Sequence, residues 1–175
     1  EMVGLFDFCL YGKGGAAPSI DSAMHALVDR AHVDHLHPDS IIALATSSDG
    51  PALTQKCFGE EILWVDWRRP GFQLGLDIAK LAKENPKAYG CVLGGHGLTV
   101  WAKTSAECEK RAITAIEKAE EFINKKGKAN PFGSEVSKFK PLDKEKRSAR
   151  AAELAPYLRG IASTDFRMVG HFTDV

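Results

Sequence analysis

Apolar and polar positions alternate along this chain with two periods, and the change from one to the other marks its elements. Apolar residues at helical spacing, Leu74, Ile78, Leu81 and Ala82, predict a helix over 72–84 that Asn85-Pro86 terminates. A longer stripe of Ala112, Ile113, Ile116, Ala119, Phe122 and Ile123 predicts a second helix. It opens on the capping-box sequence Thr104-Ser105-Ala106-Glu107 and stops at Gly127. Short apolar runs bounded by turn residues predict strands at Ile62-Leu63-Trp64-Val65, from Ala88 to Gly94, and at Leu98-Thr99-Val100-Trp101. The last two form a hairpin with His96 in its connection.

The remaining segments are shorter. Residues 1–17 start apolar and turn glycine-rich at Gly12-Lys13-Gly14-Gly15, a loop that is either a plain turn or a phosphate cradle with Lys13. Pro18-Ser19-Ile20-Asp21 reads as a helix start with Ser19 as N-cap, Asp21 in the first turn, and Met24, Leu27 and Val28 buried. A short strand follows over the histidine-rich run His32-Val33-Asp34-His35-Leu36-His37. Pro38-Asp39-Ser40 then opens a helix over Ile41–Ala45, and Ala52 to Phe58 reads as another short helix. Arg68-Arg69-Pro70-Gly71 reads as a turn. Beyond Gly127 the composition becomes basic and turn-rich, with a last helix over roughly 144–155 ending before Pro156. This divides the chain into a core, 1–127, and an extension, 128–175.

Charge and cysteine content narrow the class of partner. Lys+Arg at 23 balances Asp+Glu at 23, so no global field recruits nucleic acid or an anionic membrane, and partners belong in a pocket. No apolar run approaches the roughly 20 residues of a membrane span. Cys9, Cys57, Cys91 and Cys108 are scattered without a CxxC pair, the usage of reduced thiols in a cytoplasmic protein. Glu1 and the abrupt ending at Val175 read as the ends of a fragment, N-terminally truncated.

The concentrated chemistry is histidine. On an extended segment His35 and His37 share a face, with His32 and Asp34 on the other. His96 sits in Gly94-Gly95-His96-Gly97, where small neighbours admit close approach of a cation. Three imidazoles with an open fourth position suit Zn2+ or another divalent metal in a catalytic site. The same residues also suit a polar strand edge and a capped turn. Asp21 is the candidate base, or a helix cap. Arg68 and Arg69 suit either a phosphate or carboxylate grip, or a solvated surface.

Pro18-Ser19-Ile20-Asp21, His35-Leu36-His37 and Gly95-His96-Gly97-Leu98, in this order, resemble the successive motifs of the class II aldolase/adducin family. Within it, His32 to Asp39 and Trp67-Arg68-Arg69-Pro70-Gly71-Phe72-Gln73 resemble the aldolase half of bifunctional rhamnulose-1-phosphate aldolase/alcohol dehydrogenases. The resemblance implies a three-layer α/β/α sandwich around a largely antiparallel sheet, assembled as a homo-oligomer, a tetramer with sites between subunits. It implies a metal-dependent aldehyde-lyase acting on a small phosphorylated sugar. His35, His37 and His96 match the family's zinc ligands, Ser19 matches a phosphate-contacting serine, and Asp21 stands where the smaller aldolases carry a catalytic glutamate. Ile20 departs from a second serine. Leu63-Trp64-Val65 occupies the region where some relatives have a proton-donating tyrosine, which leaves the acid unassigned. The dehydrogenase portion of such fusions would lie beyond Val175. Two other functions share the fold: a sugar-phosphate 4-epimerase and a non-catalytic adducin-like assembly module.

Overall fold

Strand residues send alternate side chains to opposite faces, and the strands of this chain use that to serve two cores. The computed structural model describes residues 2–173 except 13, 17, 129, 132, 135–137 and 139, so the candidate cradle residue Lys13 lies outside the described residues. A short helix α1 (Met2–Leu5) and a 3-10 turn at Phe6–Cys9 come first. The strands are β1 (His32–Leu36), β2 (Ile62–Val65), β3 (Gly90–Leu93) and β4 (Gly97–Ala102), in the spatial order β1-β4-β3-β2. β4 runs antiparallel to both β1 and β3, and only β2 pairs in parallel, with β3. The sheet is therefore largely antiparallel.

One face of the sheet presents Ile62, Val92, Leu98, Val100 and Ala102 to α3 (Asp39–Ala45), α4 (Gly50–Phe58) and α6 (Ser105–Lys126). The other presents Val65, Cys91, Leu93 and Trp101 to α2 (Ser22–Leu27) and α5 (Phe72–Glu84). Helices thus cover both faces in a three-layer α/β sandwich. Because the buried residues of β3 and β4 face two cores, these strands read as continuous apolar runs rather than as alternating ones. On α5, Leu74, Gly75, Ile78 and Ala82 recur at helical spacing and are buried.

α6 begins where its capping box predicts. The Thr104 side chain accepts from the Glu107 N–H at 3.2 Å, and the Glu107 carboxylate accepts from the N–H of Lys103, one residue before the cap. Its buried stripe is Cys108, Ala112, Ala115 and Ala119, small side chains that let the helix lie close on the sheet. Ile113, expected inward, is 49% exposed. One residue step turns a helix by about 100°, which carries position 113 off the stripe that position 112 occupies.

Two further expectations fail at helix ends. The N-cap of α2 is Asp21, not Ser19: the chain makes a turn from Ser19 to Ser22, with the Ser22 N–H bonded to the Ser19 carbonyl at 3.0 Å, before the helix begins. The last helix, α7 (Lys144–Ala162), does not end before Pro156 but runs through it. Proline removes one backbone donor and crowds the preceding turn. Here helix-forming neighbours stand on both sides, Ala151, Ala152 and Leu154 before it and Leu158 and Arg159 after it, and no residue of α7 is buried. By contacts the chain divides into two units, Glu1–Ala129 and Asn130–Val175. No helix among the described residues is long and apolar enough to cross a membrane.

Replacing Thr104 by alanine removes the N-cap acceptor of α6. Urea titration is expected to show a loss of about 1 kcal/mol in unfolding free energy, whereas Thr104→Ser keeps the acceptor and stays near the parent value.

Candidate metal centre

The antiparallel register of β1 and β4 places His35 opposite Thr99 and Leu36 opposite Leu98. Continuing that register, His37 comes level with Gly97, beside His96 in the turn between β3 and β4. A Cβ on Gly97 would stand 2.5 Å from Cδ2 of His37 and 2.6 Å from the Leu36 carbonyl oxygen, so only glycine leaves room for this imidazole. Gly95, at φ 64°, makes the tight turn that presents His96. As a result Nε2 of His35 lies 3.0 Å from Nε2 of His37 and 3.2 Å from Nε2 of His96. One ligand nitrogen from each of the three rings falls within 4.8 Å of the others, a group that could hold a metal ion.

The surroundings of His35 decide which nitrogen is free. Its Nδ1–H donates to the Leu98 carbonyl at 3.0 Å and lies 3.2 Å from Oγ1 of Thr99, whose own proton is directed to Sδ of Met24 at 3.4 Å. With Nδ1 protonated, Nε2 carries a lone pair directed at the other two rings. Unprotonated ring nitrogens this close repel one another unless a proton or a cation lies among them. Burial pushes the pKa of His35 down to about 4, aided by the charges of His96 and His37 and opposed by the Leu98 bond and the Asp21 carboxylate. Burial likewise lowers that of His96, with Asp21 opposing. Metals take neutral imidazoles, so the donor set fits a divalent cation such as zinc, with a fourth position left for water or substrate.

Asp21 belongs to the same neighbourhood, since its carboxylate acts electrostatically on both His35 and His96. Ser19 holds it: the Ser19 hydroxyl accepts from the Asp21 N–H at 3.2 Å and donates to Oδ2 at 3.4 Å. Oδ1 of Asp21 and Nδ1 of His96 are both buried without a hydrogen-bond partner, atoms that a bound ligand or water would satisfy. The structure thus brings together His35, His37, His96, Asp21 and Ser19.

The other candidates lie elsewhere or are already engaged. His32 is exposed at the start of β1, and Nδ1 of His25 bonds the Val33 carbonyl at 2.9 Å. Arg68 pairs with Asp77 on α5. Cys91 and Cys108 are buried, Cys57 partly so and Cys9 exposed; all four thiols are free. Burial raises the pKa of Cys91, and that of Cys108 to about 11, leaving both unreactive near neutrality. Sequence reasoning did not identify Thr99, Leu98 or Met24 as supports of His35. Nothing in an apolar strand run marks which carbonyl or hydroxyl faces a histidine 63 or 64 residues away.

Comparison with known proteins places the family and the fold. A family model described as the class II aldolase and adducin N-terminal domain matches residues 5–123. The sequence is 33% identical, over 99% of this chain, to a Bacillus subtilis (strain 168) protein named uncharacterized oxidoreductase YuxG, of which it spans 25%. The fold matches the N-terminal class II aldolase domain of a conserved protein from Thermoplasma acidophilum with a TM-score of 0.62 at 26% identity, covering 70% of this chain and 56% of that one. A sugar-phosphate aldolase from Thermotoga maritima matches with a TM-score of 0.53, covering 66% and 58%, and at 18% identity is a likeness of fold alone.

The lowered pKa of His35 has a consequence for stability without metal. Between its ordinary value of 6.5 and the folded value of about 4, the unfolded chain binds the proton more readily. The contribution is therefore complete above pH 6.5 and is lost as pH falls through about 4. Melting temperatures of the metal-free protein are expected to fall across that window, and less steeply in His35→Gln; parallel profiles would contradict the assignment.

Proposed function

The chain belongs to the class II aldolase and adducin family, and from that membership we propose that it is a metal-dependent aldehyde-lyase acting on a ketose 1-phosphate. The observation that carries this reading is the convergence of His35, His37 and His96 beside a carboxylate with an unpartnered buried oxygen. The substrate we propose is rhamnulose 1-phosphate or a close relative, cleaved at C3–C4 to dihydroxyacetone phosphate and lactaldehyde. Sugar-phosphate recognition follows from the family membership together with the likeness of Pro18-Ser19-Ile20-Asp21 to a phosphate-contacting family motif. The rhamnulose assignment rests on the Trp67 to Gln73 and His32 to Asp39 runs. An aldolase portion within a longer oxidoreductase-linked protein is in keeping with the 25% coverage of the Bacillus subtilis relative.

His35, His37 and His96 would hold the cation, zinc being the first choice for an all-imidazole set. When bound, the cation supplies Lewis-acid polarisation of the substrate carbonyl. The proton work falls to Asp21. In the condensation direction its carboxylate takes the C3 proton of dihydroxyacetone phosphate; in cleavage the C4 hydroxyl loses its proton as the C3–C4 bond breaks and the aldehyde carbonyl forms, and the Asp21 carboxyl delivers a proton to C3 of the three-carbon fragment, so that one proton leaves oxygen and one reaches carbon. Ser19 orients the carboxylate through Oδ2 and leaves Oδ1 toward the reacting carbon. Assembly into a homo-oligomer, with a neighbouring subunit completing the site, is part of the same proposal.

Two substitutions separate metal binding from proton transfer. His96→Ala is expected to lose both bound metal, measured by elemental analysis, and the release of dihydroxyacetone phosphate from rhamnulose 1-phosphate or fuculose 1-phosphate. A metal-free variant with full activity would sink the proposal. Asp21→Asn is expected to retain metal while kcat falls by about 10²–10⁴-fold. Recovery of an epimeric ketose phosphate instead of two fragments would assign the site to 4-epimerisation.

A further inference from the structure

The segment joining β2 to α5 runs between the two turns that carry the candidate site. At one end a Cβ on Gly95, the residue before His96, would stand 2.8 Å from Cδ1 of Trp67. At the other, a Cβ on Gly71 would stand 3.7 and 3.8 Å from Cγ1 and Cδ1 of Ile20, the residue between Ser19 and Asp21. Residues 67–71 are thus anchored at His96's turn and at Asp21's turn, and the residues between those anchors border the ground between them.

The charges on this segment are spent with one exception. Asp66 accepts from Nε1 of Trp64 at 2.8 Å, and Arg68 pairs with Asp77. Arg69 is exposed and has no hydrogen bond or ion pair among the described residues. The other stretches that form the site, 18–28, 32–39 and 94–99, contain neither lysine nor arginine. Among the described residues of these segments, Arg69 is therefore the cationic side chain left without a partner. Its guanidinium is planar and always charged, and it meets phosphate oxygens with two parallel N–H donors.

We propose that Arg69, carried by the 67–71 segment, anchors the phosphate of the substrate and so selects phosphorylated over uncharged ketoses. This deepens the lyase reading and rests on it for the identity of the substrate.

The test is calorimetric titration of the metal-loaded chain with dihydroxyacetone phosphate, dihydroxyacetone and lactate, with metal content checked in every variant. Arg69→Ala is expected to weaken dihydroxyacetone phosphate binding by about tenfold or more, with metal content and dihydroxyacetone binding unchanged. Arg69→Lys is expected to recover part of the loss, as a point charge without the planar fork. Unchanged affinity for dihydroxyacetone phosphate in Arg69→Ala overturns the proposal, and so does an equal loss for the uncharged ketone. A loss confined to lactate also overturns it, in favour of a carboxylate partner. A parent chain that binds dihydroxyacetone phosphate through Arg69 yet leaves ketose 1-phosphates intact ends the lyase reading alone. One that cleaves them with an unchanged KM in Arg69→Ala ends the Arg69 assignment alone.

Discussion

The antiparallel pairing of β1 with β4 is the constraint on which the rest of the structure depends. It sets His35 opposite Thr99 and brings His37 level with Gly97, so that residues 61 positions apart in sequence put ring nitrogens 3.2 Å from one another. A slip of one residue would send His35 to the opposite face of the sheet, toward α6, and dissolve the cluster. The two cores guard against that slip. Leu36, Leu98 and Val100 face one helical layer, Val33 and Trp101 face the other, and a one-residue slip of β1 turns its apolar residues to the wrong layers.

The same packing sets the electrostatics. β4 supplies the Leu98 carbonyl that fixes the tautomer of His35, and the layer beneath supplies Met24, which accepts the Thr99 proton. Burial then disfavours the charged imidazole, leaving neutral donors that suit a cation better than a proton at neutral pH. Asp21 is the carboxylate whose charge acts on both His35 and His96, and its position is controlled by the turn at Ser19 rather than by the sheet. Fold and site are therefore coupled at β1 and β4, and only loosely coupled at α2.

Much of the architecture was legible because its signals are local. The Thr104 capping box and the periodicity of α5 depend on residues within a turn or two of each other, and both elements appear at the expected positions. The reading failed where competing local forces were close in strength. Ser19 and Asp21 are both good capping residues, and a preceding turn decided between them. Pro156 is a helix breaker only when its neighbours do not sustain the helix. Ile113 is apolar enough to pass for core, and only the angle at which α6 meets the sheet decides that it is not.

The sequence by itself determined the chemistry available: two imidazoles at i and i+2 on an extended segment, a third in a glycine-rich turn, and a carboxylate after Pro18-Ser19. It also determined that glycine would stand at 95 and 97, where a side chain has no room. Only the tertiary structure decided that the three imidazoles meet, which of their nitrogens face one another, and that Arg68 rather than Arg69 is the arginine held by Asp77. The physical reason is range. Side-chain type and backbone preference act over a few bonds, whereas ligand geometry and burial depend on strands and layers that the chain brings together only on folding.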